Sequence, residues 1–247
     1  MLPTPDTSHV SFNNIYEPAE DSFLLLDTLS SPSETAWLIS RFAHHTPFAV
    51  EVGTGSGVVI AFFTAHAEHI FGKPILSLGI DVNLNACRAT KQTAETAIND
   101  HESQSEYLGS LNVDLCTSLR PGIVDVLVFN PPYVPSEQLP SLPSTDRNYR
   151  DEFEADSHLL SLSYDGGVDG METTNRLLAQ IPLVLSTNGV AYVLLCAQNR
   201  PEEVKSRIKD LPNGPWLVET VGSSGKKAGW EKLQIARIWR ETTLEVG

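Results

Sequence analysis

Cysteine is scarce in this 247-residue sequence, and its three cysteines lie far apart. Cys87, Cys116 and Cys196 form neither a CxxC pair nor a Cys/His spacing typical of zinc sites, and no two histidines stand at the i, i+4 spacing of a metal-binding helix. We therefore read the cysteines as small buried hydrophobic residues and expect no metal bound by this chain. Few, widely spaced cysteines also favour a reducing compartment over secretion.

Long apolar runs and an N-terminal signal are missing as well. No stretch approaches the ~20 apolar residues that a membrane-spanning helix needs. The first residues contain no basic segment followed by an apolar run, as a secretory signal would. We expect a cytoplasmic protein without membrane attachment, and the nucleus stays open as a second location.

Positive charge is the third scarce feature. The chain has 17 Lys and Arg residues against 31 Asp and Glu residues, a formal net charge of −14. Proteins that bind DNA or RNA through phosphates draw affinity from clustered Lys and Arg. The short basic pair Lys226 and Lys227 lies in a glycine-rich stretch that we read as a solvated loop. The composition therefore disfavours direct nucleic-acid binding.

The clearest feature that is present is an alternation of strand and helix patterns. Strands are predicted in PFAVEVGTG, PILSLGIDVN, EYLGSLNVDL, VDVLVFNPP, GVAYVLLCA, WLVETVGS and EKLQIARIWR. Helices are predicted in YEPAEDSFLLLDTL, SETAWLISRF, VVIAFFTAHAEHIF, LNACRATKQTAETAIND, METTNRLLAQIPLVL and PEEVKSRIKD. This alternation predicts a parallel, doubly wound α/β sheet, and the last two strands, which have no helix between them, predict a terminal hairpin.

We expect residues 1–247 to form a single domain with two irregular parts. The polar N-terminus, about residues 1–15, is predicted to be mobile. About residues 134–164 form a Pro- and acid-rich insertion with few apolar residues. Long loops without secondary structure are usually functional or disordered. We favour a solvated insertion here, with a lid over the substrate as the alternative.

A glycine-rich turn follows the first predicted strand, where α/β sheets bind nucleotides. It contains Glu51, Gly53, Gly55 and Gly57, so its third glycine comes one position earlier than in the dinucleotide fingerprint. Glu51 would repel a pyrophosphate but attract the ammonium and sulfonium groups of S-adenosylmethionine. A purely structural turn is the alternative reading, since tight turns often use glycine.

Two further acids follow the next two strands. Asp81 ends the second strand, where a carboxylate can accept both ribose hydroxyls, and Asp114 ends the third, where it can accept from the adenine amino group. Each acid alone could be a helix cap. Acids at three successive strand ends instead predict a site for an adenosyl compound with a positive charge.

The fourth strand runs directly into Asn130, Pro131, Pro132 and Tyr133, which face the same crevice. The Asn130 side-chain oxygen and the Pro131 carbonyl can each accept one N–H of a planar NH₂ group, and Tyr133 can cover its face. Orientation of this NH₂ nitrogen toward the methyl group of S-adenosylmethionine would then supply much of the reduction in the activation barrier for methyl transfer, and no strong base is needed. A Pro-Pro loop with an asparagine cap is the alternative.

Together, the segments YEPAEDS, EVGTGSGVV, GIDVN, VDL and VFNPPYV resemble the HemK-like eukaryotic methyltransferases that modify a glutamine of class I translation release factors. The resemblance covers the chain from about Tyr16 to Asn130 and beyond. It implies a Rossmann-like class I methyltransferase fold, with a seven-stranded sheet in the order 3-2-1-4-5-7-6 and strand 7 antiparallel. It also implies S-adenosylmethionine as cofactor and N5-methylation of the Gly-Gly-Gln glutamine as the activity.

The same resemblance assigns roles to particular residues. Asn130, Pro131, Pro132 and Tyr133 would hold the glutamine amide, and the segment from Asp165 to Gly170 would shape the substrate entrance. The residues that would contact the cofactor are Ser22, Glu51, Gly53, Gly55, Gly57, Asp81, Asp114, Leu115 and Asn130.

The resemblance further implies a heterodimer with a small zinc-binding activator, in which the zinc belongs to the partner. We expect the third strand to lie at the sheet edge, where the activator would add a strand near Leu108–Val113.

Three other functions stay open from the sequence. A protein-lysine (histone) methyltransferase would suit an acidic surface, but a lysine must first lose a proton. A nucleic-acid adenine-N6 methyltransferase also fits the Asn-Pro-Pro-Tyr motif, although the charge balance opposes it. A cofactor-binding scaffold without activity is the non-enzymatic alternative.

Overall fold

The computed structural model describes residues 2–143, 149–225 and 232–241. The strands are β1 Phe48–Val52, β2 Leu76–Asp81, β3 Glu106–Asn112, β4 Val124–Phe129, β5 Leu185–Cys196, β6 Trp216–Ser223 and β7 Leu233–Arg240. The helices are α1 Glu20–Leu29, α2 Pro32–Arg41, α3 Val58–Ala65, α4 Ala67–Phe71, α5 Leu84–Asp100, α6 Glu152–Tyr164, α7 Glu172–Val184 and α8 Pro201–Lys209. No described helix has the length and apolar character needed to cross a membrane. The Lys226 and Lys227 pair lies outside the described residues.

The seven strands form one sheet in the order β3-β2-β1-β4-β5-β7-β6. All neighbours are parallel except β7, which is antiparallel to β5 and to β6. Val50 of β1 pairs with Leu78 of β2 on one side and with Leu127 of β4 on the other. This topology confirms the predicted strand order and terminal hairpin, and it places β3 at an edge of the sheet.

Apolar layers cover both faces of the sheet. On one face, helices α1 to α4 contribute fully buried residues such as Leu25, Leu38 and Phe63. On the other face, α7 and α8 contribute Leu177 and Val204. Because the central strands are buried on both sides, their sequences read as continuous apolar runs rather than alternating ones. This double layer holds the carboxyl ends of β1, β2 and β4 at one rim of the sheet.

The N-terminal segment packs against the domain. Val10 and Ile15 are buried in an apolar cluster with Ala86 of α5. The Pro3 carbonyl lies 2.8 Å from Nε2 of His66. A few apolar residues in a mostly polar stretch thus contact the domain, and the mobility of this segment stays a prediction.

Two helix boundaries differ from the sequence patterns. Helix α1 begins at Glu20, so Pro18 precedes the helix instead of lying in its first turn. The predicted helix over residues 58–71 is two helices in the structure. His66, with a φ of −103° and a ψ of 21°, caps the end of α3 and the start of α4. Residues 58–71 are strongly apolar, and such a run carries little periodic information about where one helix ends and the next begins.

Candidate active site

The glycine-rich turn joins β1 to α3 through left-handed backbone positions. Gly53, Gly55 and Gly57 have φ values of 67°, 52° and 81°, a region in which glycine carries no side-chain penalty. A Cβ atom on Gly57 would lie 2.6 Å from the Cα atom of Thr90. Gly57 therefore lets α3 and α5 pack closely, while Gly53 and Gly55 line the pocket beyond the strand end.

A pocket lies beyond the carboxyl ends of β1, β2 and β4, and the space between its lining residues, part of it open to solvent, is about 1110 Å³. Predicted site residues that line the pocket are Ser22, Glu51, Gly53, Gly55, Asp81, Asp114, Leu115, Asn130 and Pro132. Gly57, Pro131 and Tyr133 are absent from the lining. The structure thus brings most of the predicted cofactor residues and one half of the Asn-Pro-Pro-Tyr turn to a single cavity.

Glu51 is an almost fully buried acid at the floor of this pocket, with 2% of its surface exposed. Its Oε2 accepts the backbone N–H of Ile60 at 2.8 Å. Burial raises the pKa of Glu51 well above its ordinary value, the Ile60 N–H opposes this rise, and the Asp81 carboxylate adds to it. A cation that binds beside a buried carboxyl group lowers its raised pKa and favours its ionised form. Glu51 therefore fits the cationic part of S-adenosylmethionine.

This chemistry predicts a pH dependence of cofactor binding. A cation beside Glu51 would lower its pKa, so binding would release a proton, and affinity for S-adenosylmethionine should rise with pH by at most about tenfold per unit. The rise should stop once pH exceeds the raised pKa of the free protein. Titration calorimetry across the acidic to neutral range checks this. Glu51→Gln should bind more weakly and with a flat pH profile, and an equally steep profile in that variant would remove Glu51 from the explanation.

Asp81 is fixed by backbone donors on both carboxylate oxygens. Oδ2 accepts the Gly55 N–H at 2.9 Å, and Oδ1 accepts the Asn83 N–H at 2.8 Å. Burial raises the pKa of Asp81, whereas the N–H groups of Asn83 and Gly55 lower it. Each oxygen keeps further acceptor capacity, so the carboxylate can still receive two hydroxyl groups. The geometry thus fits the predicted contact with a ribose.

Asp114 lies two residues beyond β3 and pairs with Arg176 of α7. Its carboxylate Oδ2 accepts from the guanidinium, and both side chains line the pocket. The next residue, Leu115, has a φ of 51° and is buried, a left-handed conformation that is uncommon for leucine and clusters at functional sites. Arg176 thus holds Asp114 in place at the predicted adenine position.

The two ends of the Asn130 side-chain amide differ in their hydrogen bonding. Its Nδ2 donates to Oδ2 of Asp21 at 3.1 Å. Its Oδ1 is buried and, among the residues that the structure describes, has no hydrogen-bond partner. A buried oxygen without a partner costs free energy, so it marks a place where a ligand donor is expected. Among the described loop and turn residues, no backbone N–H donates to the Pro131 carbonyl either.

Tyr133 does not face the pocket as its predicted role requires. Its side chain packs partly against the apolar cluster on the α1 to α4 face. Its carbonyl accepts Nδ2 of Asn199 at 3.1 Å. Covering the planar face of the substrate amide would require this ring to move, so that role stays a prediction.

The glycine segment from Asp165 to Gly170 packs on the backbone of the Asn-Pro-Pro-Tyr turn. The Gly166 N–H donates to the Val134 carbonyl at 2.8 Å. A Cβ atom on Gly170 would overlap the Tyr133 carbonyl oxygen, which leaves room only for glycine. The segment therefore supports the shape of the turn from outside, next to the pocket entrance.

The stretch over residues 134–164 contains helix α6 and contributes to the roof of the pocket. Leu159 and Leu162 of α6 line the cavity together with Leu139 and Leu142. Asp156 of α6 accepts from Nδ2 of Asn14 at 2.7 Å, which connects the roof to the N-terminal segment. Our preference for a merely solvated insertion is therefore wrong for the described residues, because their leucines face the site.

Sequence reasoning missed three residues that shape this site. Asp21 stands beside Ser22 in the YEPAEDS segment, where an acid near a predicted helix start has an ordinary role with the helix dipole. Arg176 is the lone cation of its helix, which is a weak signal. Asn199 follows β5 without any motif around it, so nothing in the sequence pointed to its contact with Tyr133.

Comparison with known proteins supports the same assignment. No protein-family model matches the chain. The eRF1 methyltransferase catalytic subunit mtq2 of Schizosaccharomyces pombe is 34% identical over 97% of this chain and 96% of its own length. Methyltransferase HEMK2 of Homo sapiens is 32% identical over 95% of each chain.

A solved structure shares the fold. The Mtq2-Trm112 complex of E. cuniculi, described as responsible for methylation of the eRF1 translation termination factor, matches with a TM-score of 0.56 at 22% identity. The match covers 92% of this chain and 99% of that one. The same family is indicated by two relatives that are more than 30% identical over nearly the whole chain, by the predicted strand order and by the acid-lined pocket. The chain belongs to the eukaryotic HemK-like family of S-adenosylmethionine-dependent methyltransferases.

Proposed function

We propose that this chain transfers a methyl group from S-adenosylmethionine to the side-chain amide nitrogen of the Gly-Gly-Gln glutamine in a class I translation release factor. The observation that carries the proposal is the buried Oδ1 of Asn130, which lies beside an acid-lined pocket and has no hydrogen-bond partner in the part of the chain that the structure describes. Two relatives support it by name, the eRF1 methyltransferase subunit of fission yeast and a putative protein N5-glutamine methyltransferase of Methanocaldococcus jannaschii at 29% identity.

The chain's own residues would act mainly by orientation. Asn130 Oδ1 and the Pro131 carbonyl each accept one N–H of the glutamine amide, which turns the nitrogen lone pair toward the pocket. The cofactor supplies an activated methyl group on a sulfonium. The amide nitrogen would bond to the methyl carbon as the carbon–sulfur bond breaks, which would leave neutral S-adenosylhomocysteine. One N–H proton would pass to water, and the product would be a neutral N-methyl amide. Holding the two reactants in this geometry removes much of the barrier without a strong base.

The same pair of acceptors argues against lysine as the preferred substrate. A lysine ammonium must lose a proton before its nitrogen can attack. The buried acids Glu51 and Asp81 both have raised pKa values in this pocket, and both already accept backbone N–H groups. Two neutral acceptors at the Asn-Pro-Pro-Tyr turn suit a neutral NH₂ group better.

One labelling experiment separates these possibilities. The chain is incubated, with and without a small activator, with labelled S-adenosylmethionine and release factor that carries Gln or Ala in the Gly-Gly-Gln motif. Parallel incubations replace the release factor with a histone tail or with nucleic acid. We expect label on the Gln form and none on the Ala form. Label on both forms would redirect the substrate to another residue, and label on a histone tail alone would favour the lysine reaction. Label on nucleic acid would favour the adenine reaction.

We further propose that the chain works in the cytoplasm as a heterodimer with a small zinc-binding activator docked at the edge strand β3. In the described residues β3 pairs with β2 alone, so its other edge offers unpaired backbone groups to a partner strand. Leu108 lies on this strand with 54% of its surface exposed. The solved Mtq2-Trm112 complex is itself a two-protein assembly, which supports a partner of this kind.

A charge on the edge strand should break this interface. Leu108→Asp places a carboxylate where the partner's apolar contacts would form, and we expect co-purification with the activator to fall by at least about tenfold, because burying an unpaired charge is costly. The matched control is Leu183→Asp on α7, where Leu183 is 57% exposed and far from β3 in the fold. Equal co-purification of the wild type and both variants would place the partner elsewhere.

A further inference from the structure

Asp21 occupies a buried position between α1 and the Asn-Pro-Pro-Tyr turn. It is the second residue of α1, and 3% of its surface is exposed. Its Oδ2 accepts Nδ2 of Asn130 at 3.1 Å, and its Oδ1 accepts the backbone N–H of Ser22 at 2.6 Å. Both carboxylate oxygens are therefore engaged, one by the start of its own helix and one by the turn 109 residues away.

This contact decides which way the Asn130 amide faces. An asparagine amide has a donor end and an acceptor end of nearly the same shape, so sterics alone do not distinguish its two orientations. A carboxylate offers acceptors only, so the NH₂ end must face Asp21. The oxygen end is then left buried and without a described partner. The negative charge behind the NH₂ group also polarises the amide, which makes Oδ1 a stronger acceptor.

We propose that Asp21 is a positioning residue, which holds the Asn130 amide with its oxygen toward the reacting nitrogen. This inference rests on the proposed glutamine methylation, because that reaction needs an acceptor at this place. Asp21 does not touch the reacting atoms. Its effect on the rate passes through the orientation of Asn130.

Asp21→Asn tests the orientation because the change reverses one end of the contact. The oxygen of the introduced amide would accept the Ser22 N–H, so the NH₂ group of that amide would face Asn130. The Asn130 amide would then have to flip and point its own NH₂ group at the substrate NH₂, two donors facing each other. We expect kcat to fall by about 10²-fold, as for loss of a positioned polar group, while the Kd for S-adenosylmethionine stays within about twofold.

A polarity swap supplies the decisive comparison. When Asp21→Asn is combined with Asn130→Asp, the introduced amide accepts from Ser22 through its oxygen and donates through its NH₂ group to the introduced carboxylate. The other oxygen of that carboxylate faces the substrate, so every donor again meets an acceptor. The single change Asn130→Asp instead sets two carboxylates against each other and should also be slow. We expect the double variant to be at least about tenfold faster than either single variant, a coupling that independent sites do not show.

The measurements are kcat, the Kd for S-adenosylmethionine and the melting temperature of the full chain, with its activator where the wild type requires one. Asp27→Asn, an exposed acid of the same helix, is the matched control and should keep the wild-type kcat. Wild-type kcat in Asp21→Asn, or a double variant no faster than the single variants, would overturn the proposal. Should Asp21→Asn fail to fold, the comparison of Asn130→Asp with the double variant still decides. A wild type that leaves glutamine unmethylated would instead refute the proposed function.

Discussion

Asn130→Ala is expected to lower turnover by about 10²-fold or more, the effect of removing a polar group aimed at a reacting centre. The variant loses the buried Oδ1 that has no partner among the described residues. The glutamine amide would then be oriented by the Pro131 carbonyl alone. Because the cofactor is predicted to bind mainly to Glu51 and Asp81 on β1 and β2, S-adenosylmethionine affinity should stay nearly unchanged.

Steady-state kinetics with separate kcat and KM values, together with cofactor titration, check this result. A fall in kcat and in kcat/KM by the same factor indicates a contact made in the transition state. Asn99→Ala, an exposed asparagine on α5 far from the pocket lining, is the control and should behave as the wild type. An Asn130→Ala variant with unchanged turnover would remove Asn130 from the mechanism.

Glu34→Ala should lower folding stability by about 3 kcal/mol or more, because it leaves the buried guanidinium of Arg237 without its buried carboxylate partner. Glu34 of α2 accepts from Arg237 of β7 at 2.8 and 3.1 Å and from the hydroxyl of Tyr192 of β5 at 2.9 Å. The exposed fractions of Glu34, Arg237 and Tyr192 are 3%, 7% and 0%. This buried network links α2 to β5 and β7, and none of its residues lines the pocket.

The matched control for this prediction lies on the other side of the same guanidinium. Glu219 accepts from Arg237 at 2.8 Å, but its side chain is 61% exposed. Glu219→Ala should therefore cost less than about 1 kcal/mol, as exposed ion pairs usually do. Urea unfolding followed by circular dichroism measures both values. Equal losses in the two variants would mean that burial of Glu34 contributes nothing special to the fold.

The order of the elements and much of the site could be predicted because the signals are local. The acids Glu51 and Asp81 stand at the ends of buried strands, and parallel strands bring their carboxyl ends to one rim of the sheet. Asn130 follows β4 directly. For these residues, position along the chain already determines position in the fold.

The contacts that orient the site could not be predicted, because they join distant segments. Asn130 meets Asp21 across 109 positions, and Tyr133 meets Asn199 across 66. No short-range pattern encodes such pairs. The pocket-lining role of residues 134–164 was missed for a different reason. Leu159 and Leu162 lie one helical turn apart on α6, but the segment is rich in acids and prolines, so its overall composition indicated a solvated loop.

The most direct test of the account is a crystal structure of this chain, with its activator where needed, bound to S-adenosylhomocysteine and a peptide containing Gly-Gly-Gln. The account predicts that the glutamine NH₂ group donates to Asn130 Oδ1 and to the Pro131 carbonyl, with its nitrogen facing the cofactor sulfur. It also predicts that Asp21 still receives the Asn130 NH₂ group. A cofactor bound away from Glu51 and Asp81, or a glutamine side chain turned away from Asn130, would contradict it.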